Sequence, residues 1–277
     1  MRNKRSVRRR KVFIHKLMLI GILIFAVLII ASLCQNKASK EKNTTQTTVQ
    51  KKEKKHKLTV EERITKIREK AVTKHYPKDV IWLLDNNLET LAFVEHYEEK
   101  KNKSPAEDIG DDFVANEIPT LYQWDERWGY TDYNSTVLAR SGCGPTALSM
   151  VLICLMDDKT ITPDKVAKFA EEKGYTDNEH GTAWGLMKEA PSHWEVQIKE
   201  GAPSDENWVK SMLDMGNPII ASVGPGNFTD SGHFIVLTSY QEGYVTVHDP
   251  FREENTKKPW KYADIYQQIK AMWAYTK

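Results

Sequence analysis

Residues 141–156, Ser-Gly-Cys-Gly-Pro-Thr running into Ala-Leu-Ser-Met-Val-Leu-Ile-Cys-Leu-Met, decide how the rest of the chain is read. Within 147–156 only Ser149 is not apolar. A helix apolar on nearly every side belongs inside a core. Gly144 and Pro145 suit its first turn, where proline costs no hydrogen bond. Cys143 then falls at the helix N-terminus, beside unpaired N–H groups and the positive end of the helix dipole. A thiol in such a place is favoured as thiolate, more so with a histidine beside it. The flanking Gly142 and Gly144 let backbone or substrate come close. The plainer alternative is a small hydrophobe between two turn glycines, and the segment alone leaves the two readings even.

A nucleophilic cysteine needs a base, and the base needs an orienting group. His233 opens the β-like run His-Phe-Ile-Val-Leu-Thr-Ser-Tyr (233–240), and Asp249 ends Tyr-Val-Thr-Val-His-Asp-Pro (244–250). Taking Gln241-Glu242-Gly243 as a three-residue hairpin loop with Gly243 left-handed pairs Tyr240 with Tyr244. Position 233 then faces 251 and 235 faces 249, so His233 and Asp249 share a face as diagonal neighbours. A two-residue loop would send them to opposite faces, which makes the register a test of the pair. His248 should point the other way. Asp230 is the weaker candidate for the orienting acid. An oxyanion needs two donors. The Cys143 N–H supplies one, and Gln123 in Leu-Tyr-Gln-Trp (121–124) is the candidate for the other. The remaining histidines, His15, His56, His75, His96, His180 and His193, fall in flanks, outer helices or loops. None has a metal-ligand spacing, and no metal or cofactor is expected.

The formal net charge of +2 hides an asymmetry. The first 58 residues carry +14, which leaves −12 for residues 59–277. An acidic body of that kind argues against a nucleic-acid partner. Three cysteines make no disulfide framework. Cys143 and Cys154 on one helix would sit about 16 Å apart, beyond disulfide reach.

Residues 17–34 contain no charge and as a helix would cover about 27 Å, close to the hydrocarbon thickness of a bilayer. The basic block of residues 1–16 should stay cytoplasmic, so residues 1–34 read as a basic flank plus an uncleaved membrane anchor with the rest extracytoplasmic. Residues 35–58 are Lys/Thr/Gln-rich with little to bury and read as a flexible stalk. Thr59-Val60-Glu61-Glu62 has capping-box form. Two helices are expected over 59–103, separated at Pro77. The second carries Val80, Leu83, Leu84, Leu88, Leu91 and Val94 at helical spacing, to pack on the following domain. That domain runs over 106–277. A helix starts at Thr162-Pro163 and closes at Gly174, and Ser204 to Gly216 repeats the pattern. Strands cluster late, at Pro-Ile-Ile-Ala-Ser-Val-Gly (218–224) and in the hairpin above. Helices first and strands late make an α+β domain.

The blocks Tyr-Gln-Trp-Asp-Glu-Arg-Trp-Gly-Tyr (122–130), Ser141–Leu152, Gly216–Tyr240 and Val245–Pro250 together resemble, in order, cysteine peptidase family 39-like proteins. These are stand-alone extracytoplasmic relatives of the bacteriocin-leader peptidases of the papain clan. The resemblance covers about 117–277, and residues 76–100 are similar to the helical lead-in of such proteins from Gram-positive bacteria. It implies a papain-like α+β domain with Cys143 as nucleophile, His233 as general base, Asp249 orienting it and Gln123 in the oxyanion hole. Gly181-Thr182-Ala183-Trp184 matches a block for which substrate contact by Gly181, Thr182 and Trp184, or loop support, is expected, with a core tryptophan in a turn an equal alternative. The implied substrate is a peptide or cell-wall peptide. The leader-cleaving enzymes act in the cytoplasm on transporters, so double-glycine leader cleavage is not the activity expected here. A cell-wall peptide hydrolase, a transglutaminase-like acyl transferase and a non-catalytic surface binding module are the alternatives.

Overall fold

The computed structural model describes residues 58–177 and 181–277. The expected anchor, its basic flank and the stalk up to residue 57 lie outside the described residues, as does His180. Among the described residues no helix is long and apolar enough to cross a membrane. Residues 61–277 form one compact unit.

Helix α1 spans Val60–Lys74, with Glu61 and Glu62 in its first turn and Lys74 in its last, both signs matched to the helix dipole. Pro77 ends the pattern and precedes α2, Lys78–Asn86. The single second helix expected from the apolar spacing is not what forms. It is interrupted at Asn87, whose backbone is extended at φ −149°. A short 3-10 turn, Leu88–Thr90, leads into α3, Leu91–Lys100. Leu88, counted in the apolar face, is thrown to the surface at 59% exposure. The other five positions are buried, against Tyr130, Val137 and Ala139 of the following segment. Phe93 and Tyr130 stack with ring centres 4.1 Å apart, and the Tyr130 hydroxyl donates to the Phe93 carbonyl at 2.9 Å.

The apolar run forms α4, Cys143–Met156, in which every residue from Gly144 to Ile153 is buried. Each Leu, Ile or Met side chain removed from water there contributes roughly 1.5–3 kcal/mol before entropy is charged against it. Cys154 is only half-buried, not interior as its neighbours suggest. Helix α5, Pro163–Glu172, packs on α4 and ends before Gly174, which takes φ +73°. Helix α6, Glu206–Asp214, is capped by Asp205, whose side chain accepts from the Trp208 N–H at 3.0 Å. The cap thus sits one residue beyond the expected Ser204.

Six strands form one antiparallel sheet: β1 (Gln197–Gly201), β2 (Ile219–Val223), β3 (His233–Gln241), β4 (Tyr244–His248), β5 (Trp260–Lys261) and β6 (Ile269–Thr276). Their order is β1-β6-β2-β3-β4-β5. One face, including Ile220, Phe234, Val236 and Trp273, joins the core around α4. The other, including Ile219, Ala221, Ile235, Leu237 and Val247, packs under α6. The molecule is mixed α and β, with its strands late in the chain.

The β3–β4 hairpin corrects the expected loop. Gln241 pairs with Tyr244, so the loop is two residues, Glu242 and Gly243, at φ +51° and +84°. Two left-handed positions in succession make the turn whose twist matches paired strands. By itself that register would part His233 from Asp249. A β-bulge between Leu237 and Ser239 inserts Thr238 as an unpaired residue and shifts the ladder by one. Beyond it Val236 faces His248. Continued outward, 235 faces 249, so His233 and Asp249 return to one side by a route the sequence reading did not contain.

Candidate active site

His233 is the first residue of β3 and Asp249 directly follows β4. His233 Nε2 and Asp249 Oδ1 are 2.7 Å apart, with exposures of 8% and 0%. A carboxylate this deep is costly unless its oxygens are occupied. Oδ1 also accepts from the N–H groups of Phe251 at 2.8 Å and Arg252 at 3.1 Å. Oδ2 accepts from the Asn255 amide at 2.6 Å. Burial pushes the Asp249 carboxyl up, but the His233 charge and these donors hold it below the usual carboxylate range. Burial likewise favours a neutral His233, yet the Asp249 charge and hydrogen bond outweigh it. The nearby Cys143 acts in the same direction, and His233 is held above the usual histidine range. Since Nε2 is taken by Asp249, Nδ1 is the ring nitrogen left for the sulfur. His248 points away, as expected, with Nδ1 3.2 Å from the Pro119 carbonyl.

Cys143 is the first residue of α4 and is half-buried. Gly142, expected to admit substrate, has a different task. A Cβ there would come within 2.5 Å of the Leu138 carbonyl oxygen and 2.4 Å of its side chain. Gly142→Ala must therefore shift backbone immediately before Cys143. The expected cost is about 1–3 kcal/mol, the range for overpacking, read as a lower urea midpoint at unchanged slope.

Cys143, His233 and Gln123 line one cleft of about 550 Å³, together with Gly181 and the exposed Asp230. Gln123 is 2% exposed, and its Nε2 donates to the Ala139 carbonyl at 2.8 Å. That bond fixes the amide orientation, spends one Nε2 hydrogen and leaves the other. Thr182 and Trp184 are not brought to the cleft. The Thr182 hydroxyl is 2.8 Å from that of Tyr133, and its side chain fills the space beside Gly144, bracing the first turn of α4. Trp184 is 45% exposed, donates to Ser222 Oγ at 3.1 Å and meets the edge of Trp273. It is neither a core tryptophan nor a cleft residue. Sequence reasoning missed Asn255, which carried no motif signal, and the cleft residues Asp79, Trp82 and Asn86 of α2.

The family model described as Peptidase_C39 like family matches residues 115–277. The chain belongs to that family. Its members' peptidase character agrees with a cleft lined by a thiol and by an imidazole that is backed by a buried carboxylate. Among solved structures the chain is similar to a C39-like peptidase from Bacillus anthracis, at 14% identity and TM-score 0.41, over 59% of this chain and 96% of that one. It is also similar to the peptidase domain of Streptococcus ComA, a bifunctional ABC transporter of a quorum-sensing pathway. That match has 18% identity and TM-score 0.37, over 50% of this chain and 93% of that one. No curated protein matches.

Proposed function

We propose that this protein is a cysteine peptidase that cleaves peptide amide bonds with Cys143 as nucleophile, His233 as acid and base, Asp249 orienting the imidazole and Gln123 completing the oxyanion hole. The observation that carries the reading is His233, bonded to Asp249 Oδ1 at 2.7 Å and lining the same cleft as Cys143. The sulfur attacks the carbonyl carbon, and the carbonyl electron pair moves onto oxygen. The Cys143 N–H and the second Nε2 hydrogen of Gln123 stabilise that oxygen. As the C–N bond breaks, the imidazolium gives its proton to the departing amine. Water, deprotonated by His233, then hydrolyses the thioester and frees the thiol. The basic flank and uncharged run of residues 1–34 support an anchored enzyme with this cleft outside the membrane, acting on peptides or cell-wall peptides.

Iodoacetamide labelling tests the site without a known substrate. At pH 6 Cys143 is expected to react at least ten times faster than Cys154, whose thiol burial pushes up. His233→Ala should remove that advantage. Equal, slow labelling of both thiols would leave a binding module on the same fold. A peptide library and wall fragments, each run against Cys143→Ala, would separate the peptidase and wall-hydrolase readings.

A further inference from the structure

The break at Asn87 is costly in local terms. It exposes Leu88, splits an otherwise continuous apolar stripe and keeps a buried asparagine. What it creates is a clamp. The Asn87 amide, 3% exposed, donates to the Phe251 carbonyl at 2.6 Å. Both carboxylate oxygens of Glu89 are engaged by backbone, accepting from the Glu253 N–H at 2.7 Å and the Glu254 N–H at 3.0 Å. Arg252 reaches back to the Asn86 carbonyl at 2.9 Å.

The clamped stretch, 251–254, includes two of the three residues that occupy the oxygens of Asp249 and runs directly into the third. Phe251 and Arg252 donate their N–H groups to Oδ1, and Asn255, in the short helix Glu253–Thr256, donates to Oδ2. On the opposite side the loop is held by the Gln123 N–H to the Pro250 carbonyl at 2.8 Å and by Trp124 Nε1 to the Phe251 carbonyl at 2.8 Å. The donor set around Asp249 is thus suspended between the turn at Gln123 and Trp124 and the 86–89 turn. That turn lies outside residues 115–277 matched by the family.

Resting on the peptidase reading above, we infer that the lead-in helices are a working part of the active site, with Asn87 and Glu89 as positioning residues that set Asp249 and, through it, His233. Two of the cleft walls follow from the same arrangement. Trp82 of α2 lies under the Arg140 guanidinium at 3.7 Å, and Asp79 and Asn86 line the cleft beside it. The lead-in is not a spacer between stalk and enzyme, and a change in its seating reaches the imidazole through three hydrogen bonds in series: Asn87 to Phe251, Phe251 to Asp249, and Asp249 to His233.

The test compares Glu89→Ala, Glu89→Gln and the packing control Ile67→Ala, each in the full chain. Ile67 is 3% exposed on α1 and touches no part of the Asp249 loop by hydrogen bond. The readout is the NMR titration of the His233 ring in a Cys143→Ala background, which needs no turnover. Asp249 is the acid facing that ring; Asp79, Arg140, Asp230 and Arg252 share its cleft and stay in every variant. Glu89→Ala is expected to lower the His233 midpoint by at least one pH unit, toward that of Asp249→Asn. Glu89→Gln, which keeps one acceptor oxygen, should recover part of the shift. Ile67→Ala should lower stability and leave the midpoint in place. In variants with Cys143 intact, Glu89→Ala should slow alkylation about tenfold. A wild-type His233 midpoint in Glu89→Ala, or the same shift in Ile67→Ala, overturns the inference. Loss of peptidase activity in the wild type with these shifts intact would remove the peptidase reading instead.

Discussion

Replacing Cys143 by alanine should leave no measurable peptide hydrolysis, a loss of about 10³-fold or more, while the protein stays folded. The size follows from the role: without the sulfur no acyl-enzyme forms, and only binding and oxyanion contacts remain. The stability side follows from position. Cys143 is half-buried at the first residue of α4, outside the run Gly144–Ile153 that fills the core. Its side chain is small, so truncation costs far less than the 2–5 kcal/mol of a core leucine. Thermal unfolding and library hydrolysis, measured on one preparation, should therefore separate completely. Cys143→Ser keeps the shape and tests whether a poorer nucleophile can substitute. It is expected to be nearly as inactive, because His233 is held charged and is then a weak base toward a hydroxyl.

The second large effect joins activity to stability. Asp249→Asn should lower turnover by roughly 10³–10⁴-fold, since an amide cannot hold the imidazolium and can fix the wrong tautomer. It should also destabilise by about 3–5 kcal/mol where the native pair is fully charged, the cost of breaking a buried ion pair. The pH window has a definite sign. Asp249 titrates lower in the folded state, so its contribution is complete above about pH 4 and fades as pH falls through the depressed folded value. His233 titrates higher in the folded state, so its contribution is complete below about pH 6.5 and fades as pH rises through the raised folded value. The stability gap between wild type and variant should peak between about pH 4 and pH 6.5 and narrow on both sides. Urea midpoints across that range measure it. A gap that widens steadily above pH 7 would contradict a charged His233–Asp249 pair.

What could be read in advance was whatever depends on local pattern. The run 147–156 announced a buried helix because its apolar residues leave no polar face, and Thr162-Pro163 announced α5 because proline suits the first turn. The hairpin was legible as two β-branched runs around a glycine, but not in register. A two-residue loop plus a bulge at Thr238 and a three-residue loop without one give the same facing for His233 and Asp249, and side-chain pattern cannot tell them apart. Strand β6 escaped notice although it lies between β1 and β2. It contains Lys270 and alternates poorly because both its faces are covered, and its partners lie about 50 and 75 residues earlier, beyond any local signal. The Asn87 break was invisible for a related reason. Helical spacing continues through Leu88, and what overrides it is Phe251, more than 160 residues away. Asn255 is legible only once the Asp249 loop is folded around it. Gly142, Thr182 and Trp184 show the converse case, in which nearness to a site in sequence suggests substrate contact: Gly142 packs on Leu138, Thr182 supports the first turn of α4, and Trp184 meets Ser222 and Trp273.

The central claim is that the Cys143 sulfur becomes covalently acylated, with His233 and Asp249 enabling it. An activated peptide ester, mixed with the protein, quenched in acid within the first turnover and mapped by mass spectrometry, tests this most directly. The account predicts one acyl group, on Cys143, released by hydroxylamine, and reduced at least a hundredfold in His233→Ala. Steady hydrolysis with no acylated intermediate at any time, or acyl transfer to Cys154 in preference to Cys143, would contradict it.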